Sequence, residues 1–256
     1  MKPRIAVHKF ASCDGCQLSL LNAGTDLLDL TQHVDIVHFA EAGPVEPEAN
    51  VDIALVEGSI TTPHDHERIS RIRERSRFVM TIGACATSGG LQALRNLADV
   101  GEWTATIYAQ PQYIQTLSTS TPIRDHIHVD FELWGCPVNS HQVMTAIRDL
   151  LSGVMPKDES DKVCQECKRR NHTCVMVSQG LPCLGPVTRT GCGALCPGVG
   201  RACYGCYGPA ENNNSEALAR QFASLGIAAD EITRHFRYFH STDANFSETA
   251  KTWETK

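Results

Sequence analysis

Phe10-Ala11-Ser12-Cys13-Asp14-Gly15-Cys16-Gln17-Leu18-Ser19-Leu20 is the stretch from which the fold is read. It sets two cysteines at C-x2-C spacing between a β-rich run, Arg4–Lys9, and an expected helix over residues 17–30. A strand-to-helix turn leaves backbone N–H groups aimed at one spot. Gly15 is expected to let the backbone wrap tightly there. Two thiolates and several N–H donors make a seat for an anionic cluster, because ligation and sulfur hydrogen bonding come from one turn. Zinc and redox dithiols use the same spacing, so the rest of the chain has to decide among them.

Outward from that turn, strands and helices alternate to about residue 152. Residues 34–40 are β-rich and end at a Gly43-Pro44 turn. Val51–Glu57 is nearly all apolar, as a central parallel strand should be. Pro63 opens a charged helix through residue 76, and residues 78–82 form the next strand, ended by Gly83. A helix over 88–97 follows. Residues 99–127 are rich in Thr, Ser, Gln and Pro, with one short helix expected near 111–117. Residues 128–133 are the last strand, and Asn139 caps a helix to about residue 151. This alternation predicts a parallel α/β sheet.

Cys13, Cys16, Cys85 and Cys136 all then fall just past the carboxyl ends of strands, as does Glu57. That edge is where open α/β sheets bind ligands. Three loops thus bring four thiols toward one point, each loop beside a glycine (Gly15, Gly83, Gly135). A polar stretch over 152–163 marks a boundary. Beyond it come Cys164, Cys167, Cys174, Cys183, Cys192, Cys196, Cys203 and Cys206, with few apolar residues between them. A segment of that composition is expected to need metal to organise it. Zinc is the rival metal. Cys192-Gly-Ala-Leu-Cys196-Pro197 matches the C-x3-C-P end of a ferredoxin run and favours iron–sulfur. Residues 215–225 and 230–240 read as helices, and the last fifteen residues as a polar tail without order of its own.

The 256 residues suit one large domain or two smaller ones. A net charge of −6 leaves no basic footprint for nucleic acid. There is no run of 18 apolar residues to insert in a membrane, and no signal pattern at the N-terminus. A cytoplasmic location is the expectation. In a reducing compartment the 12 cysteines are expected as metal ligands rather than disulfides, and they divide into three sets of four.

The chain resembles the small subunit of nickel–iron hydrogenases. The resemblance is carried by Ser12-Cys13-Asp14-Gly15-Cys16, Glu57-Gly58-Ser59-Ile60, Ile82-Gly83-Ala84-Cys85-Ala86 and Gly135-Cys136-Pro137, together with the C-terminal cysteines. It implies a flavodoxin-like, doubly wound parallel sheet over residues 1–152 holding a proximal 4Fe–4S cluster. It also implies a ferredoxin-like domain over 160–210 with two more 4Fe–4S clusters, followed by helices and a tail over 211–256. The nickel–iron site would lie in a separate large subunit. The ferredoxin-like motifs at 191–197 and 203–209 resemble the cytoplasmic, bidirectional group, the delta subunit of the NADP-linked sulfhydrogenase type above all. In that group flavin/NAD(P)-binding and ferredoxin-like subunits are the partners, and they join the small subunit to NAD(P), to coenzyme F420 or to heterodisulfide reductase.

The implied function is electron transfer between the large-subunit H2 site and a flavin/NAD(P) partner. A quinone-reductase subunit and a zinc-stabilised interaction module are the alternatives. Glu57 is expected beside the proximal site, as a polar neighbour of the ligands or a structural hydrogen-bonding group. His33, His38, His64, His66 and His141 are expected as ordinary polar residues, and His172 as a neighbour of the cysteines rather than a ligand. The charges over 68–77 are expected on a solvated helix face. Leu18, Leu20 and Leu21 are expected on an exposed edge that meets a partner across roughly 2,000 Å² or more in total.

Overall fold

The first strand, β1 (Arg4–Lys9), buries Ile5, Ala6, Val7 and His8, because it lies inside a sheet covered on both faces. The computed structural model describes residues 2–159 and 161–255. The chain divides into two compact units, Met1–Lys157 and Asp158–Lys256.

In the first unit, β2 (Asp35–Phe39), β3 (Val51–Glu57), β4 (Ser76–Ile82) and β5 (Phe131–Leu133) join β1 in a five-stranded sheet of order β2-β1-β3-β4-β5. Every neighbouring pair is parallel. This is the flavodoxin-like order, in which the chain reverses direction across the sheet between β1 and β3. The strands are crossed by α1 (Gly15–Leu21), α2 (Thr25–Thr31), α3 (Pro63–Glu74), α4 (Ala84–Ser88), α5 (Val100–Ile107) and α6 (Ser140–Leu151). One sheet face packs Ile5, Val7, Leu55 and Met80 against Leu20 of α1 and Val143, Met144 and Ile147 of α6. The other packs Ala6, Ala54 and Val56 against Ile69 and Ile72 of α3. Thr62 opens α3 with a capping box, its hydroxyl accepting from Asp65 N while the Asp65 carboxylate accepts from Thr62 N.

Several local expectations are corrected. The helix expected over 17–30 is two helices, broken at Asn22-Ala23-Gly24. The one over 88–97 is α4 followed by 3-10 turns over Gly90–Leu97. A helix missed in the polar stretch, α5, forms because Asp99 caps it, accepting from Glu102 N at 3.0 Å. The helix near 111–117 is only a 3-10 turn at Pro111–Tyr113. The last strand begins at Phe131, not His128, because the Asp130 carboxylate takes the Val79 N–H at 2.7 Å and stands in for ladder pairing. Leu20 is buried in the core and Leu21 packs against it, since positions 16, 17 and 20 form the inner face of α1. Leu18 alone of the three is well exposed, at 51 %.

The arginines of α3 are not one solvated face. Arg68 lies 4.1 Å over the Phe10 ring and donates to Lys9 O. Arg73 pairs with Asp130 at 2.5 Å and donates to Ser76 O at 2.7 Å. Beneath Arg68 the imidazoles of His8 and His38 stack at 4.8 Å, both buried, each with an Nδ1 that has no protein partner. Burial, then His38 and Arg68, holds His8 down at about 3. The folded state therefore keeps His8 neutral, while the unfolded chain protonates it near 6.5. Its contribution is present in full above that value and is lost as pH falls toward 3. His8→Phe is expected to flatten the loss of stability between pH 7.5 and 5.5 by about 1 kcal/mol, read by denaturant unfolding at the two pH values. Parallel curves for the two proteins would show that His8 does not titrate this way.

The second unit is built from α7 (Val163–Arg169), α8 (Val175–Gln179), α9 (Leu195–Gly198), α10 (Ser215–Ser224), α11 (Ala229–Arg237) and α12 (Ala244–Glu254). The cysteine-rich segment does not rely on metal alone, contrary to the expectation from its composition. Val163, Val175, Leu184 and Val187 pack in one apolar core with Leu218, Phe222, Ile232, Phe236, Phe246 and Trp253 from the C-terminal helices. The residues expected to form a tail are mostly α12, which buries Phe246, Ala250 and Trp253 and is capped by Asp243. Trp253 Nε1 donates to Glu216 at 3.0 Å, which ties α12 to α10.

Candidate metal centre

Cys13 lies in the loop after β1, Cys16 in the first turn of α1, Cys85 in α4 directly after β4, and Cys136 just after β5. With Glu57 at the end of β3, they gather at the carboxyl edge of the sheet, at the reversal between β1 and β3. Gly15 lies close to Cys13, whose Sγ an added Cβ would meet at 3.3 Å, and Asp14 before it takes the left-handed conformation at φ 64. Aspartate tolerates this region because its short side chain bonds locally; here it accepts from Lys9 Nζ at 2.7 Å.

Glu57 is buried, and its two oxygens hold the turn. One accepts from Cys16 N at 3.0 Å, the other from Gln17 Nε2 at 2.8 Å. Burial raises the Glu57 carboxyl, and these two donors oppose the rise. Gln17 is a part of the site that the sequence reading missed. Its signal is a long polar side chain on the inner face of α1, where only a buried partner can satisfy it.

The four thiols act on one another. Burial is the largest cause pushing Cys16 up, with Glu57, Cys85 and Cys136 adding. Burial pushes Cys85 up to about 12, with Cys136 and Cys13 adding, and Cys136 up to about 11, with Cys13 adding. Gly83 sits against this group at φ 87, and a Cβ there would fall 2.2 Å from Cys16 Sγ. The backbone approach to Cys16 therefore requires glycine at this position.

In the second unit Cys164 and Cys167 lie on α7, Cys174 caps α8, and Cys183 follows in a loop. Cys167 is raised by burial and by Cys164, Cys183 and Cys174. Cys192 is raised by burial, Glu166 and Cys196. Cys203, wholly buried, is raised by burial, Cys183, Cys206 and Cys192. Cys203 thus lies near Cys183 as well as Cys206 and Cys192, and its N–H donates to Cys183 Sγ at 3.2 Å. Gly205 N donates to Cys203 Sγ at 3.5 Å. His172 packs near Gly198, where an added Cβ would meet its Nε2 at 3.0 Å. Among the described residues no three His, Cys, Asp or Glu side chains close on a point that would hold a single metal ion. The cysteines lie close enough to raise one another, and in the second unit backbone N–H groups donate to two of the sulfurs. Also among the described residues, no helix is long and apolar enough to cross a membrane.

Residues 13–150 match the family model described as NADH ubiquinone oxidoreductase, 20 Kd subunit. The sulfhydrogenase 2 subunit delta of Pyrococcus furiosus is 33% identical over 92% of this chain and 98% of its own. A subunit of the F420-non-reducing vhu hydrogenase of Methanocaldococcus jannaschii is 33% identical over 90% of each chain. Among solved structures, a chain of an NAD+-reducing [NiFe]-hydrogenase in the H2-reduced state superposes with a TM-score of 0.57 and 29% identity. That match covers 61% of this chain and 95% of that one. With its sheet order, its ring of strand-end cysteines and relatives matched along nearly their whole length, the chain belongs to the NADH ubiquinone oxidoreductase 20 Kd subunit family and, within it, to the small, delta-type subunits of hydrogenases.

Proposed function

We propose that this chain is the electron-transfer subunit of a soluble nickel–iron hydrogenase, holding three 4Fe–4S clusters that relay electrons between an H2 site in a large subunit and a flavin/NAD(P) partner. The observation that carries the reading is the convergence of Cys13, Cys16, Cys85 and Cys136 on the sheet reversal beside Glu57. The donor set fits the group. It is all sulfur, with Cys16, Cys167, Cys183 and Cys203 buried, and in the second unit it is met by backbone N–H donors on Cys183 and Cys203. When bound, such clusters pass single electrons at potentials tuned by hydrogen bonds to sulfur and by burial.

The rest is the work of the chain's own residues. Cys13, Cys16, Cys85 and Cys136 would hold the first cluster. Cys164, Cys167, Cys174 and Cys183 would hold a second, and Cys192, Cys196, Cys203 and Cys206 a third. Thiols raised by burial keep their protons until metal displaces them, so assembly releases protons. Glu57 fixes the Cys16 N–H and Gln17, which holds the Cys16 sulfur in place before ligation. The exposed side chain of Leu18 extends from the same helix and would belong to the partner face.

Iron and acid-labile sulfide, measured on anaerobically purified protein, are expected at about twelve of each per chain. Iron near eight would mean that one foursome does something else, and a colourless zinc-loaded protein would end the reading. The family name also covers quinone reductases, but the matched residues stop at 150, before the eight C-terminal cysteines. Nickel in the native complex separates the two: its presence supports the hydrogenase and its absence the quinone reductase.

A further inference from the structure

An ion pair beside the cysteines of the second unit has no part in holding them. Glu166 lies on α7 between Cys164 and Cys167, and Arg170 caps that helix one turn later. Arg170 Nη2 stands 3.4 Å from Glu166 Oε1. Thr190 donates its hydroxyl to the other Glu166 oxygen, which fixes the carboxylate. Glu166 is 17 % exposed and Arg170 55 %.

Both charges face the loop that carries Cys192 and Cys196. Gly193, between them, is in the left-handed region at φ +71, and a Cβ there would lie 3.4 Å from Arg170 Nη2 and 3.6 Å from its Cζ. The guanidinium thus rests on the loop backbone where a side chain would otherwise stand. Glu166 acts on the same loop. It holds Thr190, two residues before Cys192, through the hydroxyl that Thr190 donates to its carboxylate.

We propose that Glu166 and Arg170 set the reduction potential of the centre held by Cys192, Cys196, Cys203 and Cys206, in opposite directions. The proposal rests on the cluster reading above. Adding an electron adds one negative charge at the centre. Glu166 opposes that charge and Arg170 favours it. Glu166, the more buried, acts through less solvent and has the larger effect, whereas Arg170 is screened.

The test is an anaerobic redox titration of the purified complex followed by electron paramagnetic resonance, with iron and sulfide counted in every sample. Glu166→Gln is expected to make one centre easier to reduce, by about tenfold in its one-electron equilibrium constant, or about 59 mV. Arg170→Gln should make the same centre harder to reduce, by about threefold after screening. The double variant should fall between the two, and Arg170→Lys, which keeps the charge, should stay near wild type. The centre held by Cys13, Cys16, Cys85 and Cys136 in the first unit is the internal reference.

Shifts of one sign in both single variants would overturn the proposal, and so would the absence of any shift with iron intact. Loss of iron from either variant would overturn it too, because the pair would then be a structural clasp. A wild-type protein without clusters would instead fail the functional reading itself, which the iron count reveals before any titration.

Discussion

Cys16→Ala in the assembled complex should abolish hydrogen-driven reduction of the soluble acceptor, a loss beyond the roughly 10–100-fold typical of changes around a ligand shell. The substitution removes a thiol from the inner face of α1, at 7 % exposure. Hydrogen–deuterium exchange at the partner's nickel site should persist, because it needs no net flow of electrons through this chain. Cys206→Ala, in the other unit, should show the same split while leaving the sheet edge undisturbed. Both variants must still copurify with the large subunit, so that lost assembly is not read as lost conduction. Acceptor reduction near wild type in an assembled Cys16→Ala complex would refute the assignment of Cys13, Cys16, Cys85 and Cys136 as an obligatory station.

Gly83→Ala should be nearly as damaging, although it removes no ligand. The new methyl would lie 2.2 Å from Cys16 Sγ, and its residue would have to keep φ at 87. Neither demand can be met by a small adjustment, because Gly83 N is bonded to Leu133 O at 2.8 Å and Ala84 N to Gly135 O at 2.7 Å. A non-glycine residue in such a conformation costs about 1–3 kcal/mol before the clash is counted. Iron in the purified variant is therefore expected to fall from about twelve to about eight per chain, with the second unit still loaded. Full iron content and an unchanged spectrum would show that the Cys16 thiol is not held against Gly83.

Both variants act on a site whose make-up is legible before its geometry. Mostly apolar runs followed by glycine place β3 and β4, because strands buried on both faces read as near-continuous hydrophobic runs. Cysteines just past those strands then have to share one edge, since every parallel strand ends on the same side. Gln17 and the left-handed Asp14 are not legible, because each depends on partners far away or on a backbone angle that many residues could adopt locally. The α5 helix is hidden by the Thr and Gln around its Asp99 cap. The apolar core of the second unit is hidden for another reason. Its residues are sparse among the cysteines, and the missing half comes from helices that follow the cysteine run in the chain. By itself, then, the sequence determined the sheet, the edge that carries the site and the twelve sulfurs, because those follow from local pattern and spacing. Only the tertiary structure decided that Glu57 and Gln17 clamp the Cys16 turn, and that charges at Glu166 and Arg170 flank one cysteine loop. These depend on distances between segments far apart in the chain, which no local pattern encodes.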